Sequence, residues 1–454
     1  MITVAELISE IQQRIETYNT NDYPLHKRDV ASYDLLDSRN HILAEDIVSP
    51  FAIPRQNLSA MDGYAIAKDS ILSANSTINI VGESQAGSPY SGEISAGQGV
   101  RIFTGAVVPD SCDTVIMQDN TNFAAIKDSI DKSQPYAITL SQDAKPDENI
   151  RKQGEEIETG EAVLLTGKRL NPADISLLAN LGFDKVKVYQ PLTVGVLATG
   201  DELVAIGNEL TSLAQIYNSN TPTLKSLLAH LPITIRDYGI IADDLEKTTT
   251  AVTQAMQECD ALISTAGVSV GDYDFLTTVI EQLGQINHYK VAMKPGKPFV
   301  FGELTKNLAK PVLYFGLPGN PLSTVVGSLQ FVIPALWQMA GAAPQERPMQ
   351  LSLTATLKND IKKSAGRMDF QRGIVSQNDA GEFHVESFSK QQSHRIKQLS
   401  HANCFIVLAQ DSGNIAAGET VKVQPFPWLH SWIIAKQQLN NWIINNGIVK
   451  KLHG

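Results

Sequence analysis

The chain opens on MITVAELISEIQQRIE, where apolar residues recur with helical spacing, acids come early and no long apolar core forms. That pattern predicts an amphipathic helix and not a signal peptide. A short extended stretch follows, with Ile42, Ala44 and Ile47 leading to a turn at Ser49 and Pro50. From about 55 to 150 the chain is rich in Gly, Ser, Thr and Asn, and its apolar runs are short, as at Ile78–Val81 and Thr114–Met117. A small β domain is expected there.

The apolar run Leu192–Ala198 ends at Thr199, Gly200 and Asp201, and from there strand-like and helix-like segments alternate. Thr221 and Pro222 read as an N-cap and a first-turn proline, opening a helix to about His230. Strands are predicted at Ile233–Tyr238, Ala261–Thr265 and Val312–Leu317, and helices at Asp244–Glu258, Asp274–Leu283 and Leu322–Met339. Such alternation implies a mostly parallel sheet covered by helices on both faces, with ligands bound beyond the carboxyl ends of its strands. Strand-like runs return from about 345 to 425, at Gln350–Leu357, His384–Ser387, Cys404–Leu408 and Thr420–Val423, and predict a second small β domain. The stretch from Pro425 to Gly454, with Trp428, Trp432 and Trp442, is expected to dock on the protein as a helix.

The fold class is therefore multidomain α/β plus β, and a length of 454 residues fits three or four domains. A formal net charge of −11, with no run of five Lys or Arg, argues against a nucleic-acid partner. No charge occurs between Pro311 and Gln345, but Gly316, Pro318, Gly319, Pro321 and Pro334 interrupt the stretch. A buried strand, a turn and a core helix explain it better than a membrane span, so no membrane partner is expected. Cys112, Cys259 and Cys404 are scattered, with no CxxC pair. They read as small buried apolar residues of a reducing, cytoplasmic protein.

Several segments set small residues beside an acid, a hydroxyl or a lysine: SAMDGYA with Asp62, RIFTGA with Thr104, TGDEL with Asp201 and Glu202, the 265–274 loop, KPGKP, and LPGNP. The 265–274 loop follows a strand and precedes a helix, a setting in which exposed N–H groups favour an anion. Lys294 and Lys297 bracket a Pro-Gly turn that suits phosphate or another oxyanion. Carboxylates at loop ends (Asp62, Asp201, Glu202, Asp243, Asp244, Asp274) fit a Mg²⁺-assisted phosphate enzyme, although Asp244 and Asp274 could equally cap helices. No His-rich cluster points to a transition metal held by protein.

Taken in order, SAMDGYA, RIFTGA, TGDEL, GVSVGDYD, KPGKP and LPGNP resemble the molybdopterin molybdenumtransferases, the MoeA and gephyrin C-terminal family, from about residue 1 to 425. The resemblance implies an elongated N-terminal domain of 1–54 and 151–190, an inserted β domain at 55–150, an α/β molybdopterin-binding domain at 191–344 and a C-terminal β domain at 345–425. It leaves 426–454 as an extension without counterpart. It implies a homodimer with a site at the subunit cleft, and a reaction in which adenylylated molybdopterin and molybdate give molybdenum cofactor and AMP, with Mg²⁺ as cofactor. Catalytic positions fall on Asp62, Thr104, Glu202, Asp243 and Asp274, of which Asp62, Glu202 and Asp274 are candidate ligands of Mg²⁺ or molybdate. Substrate-binding positions fall on Gly267, Ser269, Gly271, Lys294, Lys297, Pro318, Asn320 and Pro321. Glu156, one methylene longer than the family's acid, is a further possible site residue. Ala266 replaces a glycine, Asn218 an acid, and Gln391, Gln392, Ser393 and His394 stand in the region of the family's Gln-Gly-Ser-Gly.

In physical terms the implied reaction is electrostatic positioning, in which lysines, Mg²⁺ and helix N-termini offset the repulsion between two anions. The apo molybdoenzymes and the adenylyltransferase that prepares the substrate are further expected partners. Three other readings are an adenylyltransferase, a non-enzymatic scaffold and a tungstate-specific paralogue. The flanking β domains argue against the first, and retention of the acid and lysine set against the second.

Overall fold

The computed structural model describes residues 1–19, 29–131, 133–266, 268, 275–307, 311–347 and 350–428. Its central element is a six-stranded sheet in the order Ile233–Ile241, Leu192–Thr199, Ala261–Thr265, Val312–Leu317, Pro298–Leu304, Gly284–Lys290. The first four strands are parallel. The last two run antiparallel and extend one edge. Ala261–Thr265 and Val312–Leu317 are buried at every position, which is why both read as unbroken apolar runs. Side chains alternate between two cores. Val196, Ile263 and Phe315 face one side with Leu224, Leu329 and Val332. Leu197, Leu262 and Tyr314 face the other with Val252, Met256 and Val279.

The edge strands Gly284–Lys290 and Pro298–Leu304 lie outside the predicted set. The first carries Gln285, Asn287 and His288 and is half-buried, so it offers no apolar run to read. The helix after Tyr217 begins at Asn220 and not at Pro222. Thr221 does not act as its cap; Asn218 Oδ1 accepts from Thr221 N at 3.2 Å and Asn218 Nδ2 donates to Thr221 Oγ1 at 2.9 Å. By contrast Asp244 caps Leu245–Glu258, accepting from Lys247 N at 2.8 Å. Pro321–Met339 is one helical stretch, long and apolar enough to span a bilayer but 83% buried in the core. It widens at Ser328–Val332, just ahead of Pro334, whose ring nitrogen has no hydrogen to donate.

The first helix, Val4–Asn19, starts with a reciprocal cap: Thr3 N donates to Glu6 Oε2 at 2.7 Å and Glu6 N to Thr3 Oγ1 at 3.1 Å. Its stripe of Val4, Leu7, Ile11 and Ile15 buries into the core of the α/β layer, with Phe331 and Leu336. Beyond it, Val30–Asp34 pairs with Lys185–Tyr189 and Ile47–Val48 with Ala162–Leu164, around Leu35, Leu43, Leu170, Leu178 and Val188. Segments from both sides of residues 55–150 thus share one core. That intervening stretch forms a five-stranded sheet, Cys112–Met117, Gly63–Ala67, Gln98–Ile102, Thr77–Ser84, Tyr136–Thr139. The Arg169 guanidinium stacks 4.3 Å from the Trp337 ring and joins this half of the molecule to the α/β layer.

After the α/β layer, Leu353–Leu357, Met368–Gln377, Phe383–Ser387, Cys404–Leu408 and Thr420–Pro425 close into a small barrel, because Met368–Gln377 pairs with both Phe383–Ser387 and Cys404–Leu408. Met368–Gln377 escapes a pattern reading because it buries Asp369, Gln371 and Arg372. Phe426 packs edge-on to Phe405, and Trp428 stacks on Phe426. Trp432 and Trp442 lie outside the described residues. The three cysteines are buried and free.

Phe315 is fully buried and touches Phe301, with ring centroids 5.2 Å apart. Phe315→Ala should cost about 3–5 kcal/mol of unfolding free energy through lost transfer energy and an unfilled cavity. Urea unfolding followed by circular dichroism measures it, and a loss under about 1 kcal/mol would mean that the site repacks freely.

Candidate functional site

At the carboxyl end of Leu192–Thr199 the chain turns at Gly200, φ +136°, where an added Cβ would meet the Glu202 carboxylate at 2.5 Å. Asp201 and Glu202 follow and are exposed. Asp243 sits at the end of the neighbouring strand, and the two loops hold each other. Asp243 N donates to Asp201 Oδ1 at 3.0 Å, and Asp201 N to Asp243 Oδ2 at 3.4 Å. Glu202 and Asp243 therefore stand on adjacent loops, at the strand ends where the fold places ligands.

The LPGNP turn follows the next strand but one. Asn320 caps the helix through Oδ1, accepting from Leu322 N at 3.2 Å, and its Nδ2 donates to Ser393 Oγ at 3.1 Å across to the barrel side. Pro321 takes the first helical position and Pro318 O accepts from Thr324 Oγ1 at 2.8 Å. Asn220 Nδ2 donates to Gly319 O at 2.7 Å. Asn220 Oδ1 and Thr265 Oγ1 are buried there with no hydrogen-bond partner among the described residues. Thr265 leads into Ala266, which holds φ +141°, a conformation that glycine adopts more readily. Gly267, Ser269, Gly271 and Asp274 lie outside the described residues.

Lys294 belongs to a two-residue strand, Met293–Lys294, that leaves the α/β layer and pairs in parallel with Met368–Asp369 of the barrel. Lys294 Nζ lies 3.6 Å from Asp369 Oδ2. Around them is a cavity of about 230 Å³ lined by Lys294, Lys362, Lys363, Ser364, Arg367, Asp369 and Asn414. Four cations face one carboxylate, so the cavity is built for an anion. Lys363 is buried, and its ammonium donates to Ser364 O, Gln410 O and Ser412 O at 3.3, 3.4 and 2.8 Å. Burial pulls that ammonium below the usual lysine range, opposed by Asp369 and Asp411. Lys297, on the far limb of the turn after Gly296 at φ +93°, is exposed and does not line this cavity. Sequence reasoning found Lys294 but missed Lys362, Lys363, Arg367 and Asp369. The available signal was two adjacent lysines, then Gly366 at φ +107° and an arginine within a β domain.

Asp62 and Thr104 meet on adjoining loops of the five-stranded sheet. Thr104 N and Oγ1 donate to Asp62 Oδ1 at 2.7 and 2.8 Å. The backbone N–H first, then the hydroxyl, hold the Asp62 carboxyl below the usual carboxylate range. Both residues are exposed, and these hydrogen bonds lie within that sheet. Glu156 is exposed on a separate loop, 4.0 Å from the Arg151 guanidinium. Among the described residues no three His, Cys, Asp or Glu side chains converge as a metal cage. Mg²⁺ needs no such cage: one or two carboxylates, water and a ligand phosphate suffice, and the exposed Asp62, Glu202 and Asp243 offer hard oxygen donors of that kind.

Three regions of the chain match family models. Residues 2–182 match the family described as MoeA N-terminal region (domain I and II), 195–338 the probable molybdopterin binding domain, and 354–426 the MoeA C-terminal region (domain IV). The chain is 42% identical over 393 residues to a molybdopterin molybdenumtransferase of Haemophilus influenzae, covering 87% of this chain and 93% of that one. It is 35% identical to one of Staphylococcus epidermidis, covering 93% and 95%. A molybdopterin biosynthesis moeA protein of Pyrococcus horikoshii OT3 superposes with a TM-score of 0.74 at 25% identity, over 94% of this chain and all of that one.

The depressed Asp62 carboxyl contributes stability that is present above its unfolded pKa and lost as pH falls through the folded one, so Asp62 stays charged throughout the neutral range. Thr104→Val removes the hydroxyl donor and keeps the backbone one. The Asp62 midpoint, read by carboxyl carbon NMR with labelled aspartate, should move up toward the ordinary range. An unmoved midpoint would show that the hydroxyl contributes nothing.

Proposed function

Because the chain belongs to the molybdopterin molybdenumtransferase family and so serves molybdenum cofactor biosynthesis as a molybdenum-inserting transferase, we propose that the cationic cavity between KPGKP and the barrel receives molybdate, and that adenylylated molybdopterin lies along the adjoining strand ends. The observation that carries this reading is the meeting of Lys294 with Lys362, Lys363 and Arg367 around one cavity. The pterin's adenylyl phosphate would lie against Gly267, Ser269 and Gly271, with Lys297 and the Pro318, Asn320 and Pro321 turn at its flank. Both substrates are anions, and fixed cations offset their mutual repulsion without reorganising during the reaction. The pterin dithiolate supplies the molybdenum ligands, which makes protein cysteines unnecessary.

Asp62, Glu202 and Asp274 would hold Mg²⁺, which when bound offsets charge on the adenylyl phosphate. Thr104 keeps Asp62 ionised for that role, and Asp243 fixes the Asp201–Glu202 loop through the paired bonds in which each backbone N–H donates to the other residue's carboxylate. Glu156 is a further acid of the same region. A homodimer, in which a second copy brings Asp62 and Thr104 to the cavity and completes the site, belongs to the same reading. The proposed domains are 1–54 with 151–190, 55–150, 191–344, 345–425 and an extension at 426–454. A cytoplasmic location, hand-over to apo molybdoenzymes and exchange with the adenylyltransferase belong to the same reading.

Purified protein given adenylylated molybdopterin, Mg²⁺ and molybdate should release AMP in step with molybdenum insertion, followed by AMP chromatography and reconstitution of an apo molybdoenzyme. Equal AMP release without molybdate would identify a hydrolase, and full turnover in excess EDTA would remove Mg²⁺ from the scheme. Lys297→Ala should weaken pterin binding by roughly 1.5–3 kcal/mol, one charge-assisted hydrogen bond. Asp62→Asn should leave pterin binding nearly intact and stop product formation; equal loss of binding in both variants contradicts this division. Sedimentation should show a dimer at micromolar concentration, and a pure monomer would exclude a site shared between copies.

A further inference from the structure

Among the described residues, Asp369 is the one carboxylate lining the cationic cavity. It is 5% exposed and sits opposite Lys294 in the strand register. Its Oδ2 accepts from Gln371 Nε2 at 3.0 Å and lies 3.6 Å from Lys294 Nζ. The charged groups that face it are Lys294 on the two-residue strand, Lys362, Lys363 and Arg367 on the loop before its own strand, and Arg372 farther along that strand. Asp411 adds a second acid toward Lys363. The Lys363 ammonium already donates to three carbonyls, so it lends charge to the cavity but no spare donor. Lys294, Lys362 and Arg367 remain as the cationic donors.

A carboxylate inside an anion cavity works against most anions. An ionised carboxylate only accepts hydrogen bonds, and so does a fully deprotonated oxyanion; side by side they repel. The contact turns favourable when the oxyanion brings a proton that the two can share. Sulfate and molybdate are both tetrahedral dianions and both deprotonated in neutral solution, but sulfate is much the weaker base and so the poorer partner for such a proton. Molybdate takes one far more readily.

We propose that Asp369 is a specificity-determining residue that admits molybdate with one shared proton and repels sulfate. The inference rests on the reading that this cavity holds molybdate. No Mo–O bond changes; one proton is taken from solvent onto the oxygens that molybdate and Asp369 share as molybdate enters, and is returned when it leaves. Selectivity then comes from a built-in repulsion against the wrong anion, beyond any added attraction for the right one. Lys294 gains a second task, since its ammonium partly screens the carboxylate while the cavity is free.

Calorimetric titration of the full chain with sodium molybdate and with sodium sulfate, in two buffers of different ionisation enthalpy, tests this. The protein should prefer molybdate and take up close to one proton on binding it. Asp369→Asn should bind sulfate more tightly, lose the proton uptake and lose about tenfold or more of its molybdate-over-sulfate preference, the size of one charge-assisted hydrogen bond. Asp369→Glu should keep the proton uptake. Lys362→Ala and Arg367→Ala should weaken both anions together. Unchanged preference and uptake in Asp369→Asn, with molybdate still weakened by Arg367→Ala, would overturn the role of Asp369 alone. Molybdate binding indifferent to both Lys362→Ala and Arg367→Ala would instead overturn the placement of molybdate in this cavity. Should Asp369→Asn not fold, the unaltered protein decides: molybdate binding without proton uptake overturns the inference.

Discussion

Two residues of parallel strand, Met293–Lys294 against Met368–Asp369, join the α/β layer to the barrel and bring the cationic groups to one place. A pair so short supplies little binding energy of its own. Its register is fixed by burial around it: Met293, Phe370, Phe405 and Phe426 belong to the same apolar core as Phe315 and Phe331. Side chains alternate along Met368–Gln377, so a slip of one residue would turn Phe370 out of that core and Asp369 into it. Hydrophobic burial is what presents Asp369 and Lys294 to the cavity, and the electrostatics of the site follow from it.

The barrel strand behind the cavity buries charge that a stability argument alone would not place there. Arg372 is fully buried and, among the described residues, has no carboxylate bonded to it; its guanidinium donates to Gln391 Oε1 and Arg395 O. Burial pushes it down to about 10, which still leaves it charged at neutral pH. Gln391 answers by donating from Nε2 to Arg372 O at 2.9 Å. The same segment continues to Ser393, which accepts from Asn320. Buried cation, neutral amide and helix cap are thus linked from the barrel to the LPGNP turn by hydrogen bonds at the two ends of residues 391–393. Such a network is costly when any member is missing, so it holds the two halves of the site in one arrangement.

Much of this was legible from the residues, and the limits have physical causes. Ala261–Thr265, Val312–Leu317 and Cys404–Leu408 match the predicted bounds because strands buried on both faces read as continuous apolar runs. Gly284–Lys290 and Met368–Gln377 did not show, one as a half-polar edge and the other as a buried strand filled with polar groups. The loop acids and lysines were visible because small residues surround them. The other half of the anion cavity was not, because Lys362, Lys363 and Arg367 meet Lys294 only through tertiary pairing. The helix start at Asn220 was misplaced because Thr221 carries the chemistry of a cap while Asn218 binds that hydroxyl and N–H.

The acids and the cations of the site differ in a way that bears on mechanism. Lys363 and Asp369 are buried and held by the fold, whereas Asp62, Glu202 and Asp243 are exposed. Exposed carboxylates in water interact weakly with anything several ångströms away. They gain strength when a ligand or a second protein surface removes that water, because the same charges then act through a lower dielectric. In the cationic cavity only Lys363 and Asp369 are already buried; Lys294, Lys362 and Arg367 are exposed and gain strength in the same way once an anion displaces water. In the proposed reaction the oxyanion therefore meets a site whose buried part, Lys363 and Asp369, is already set, while the exposed acids act at strength only once the pterin, or a second copy of the chain, covers them. That order is physically favourable: full-strength carboxylates beyond the one of Asp369 would add repulsion against the molybdate that the cavity receives.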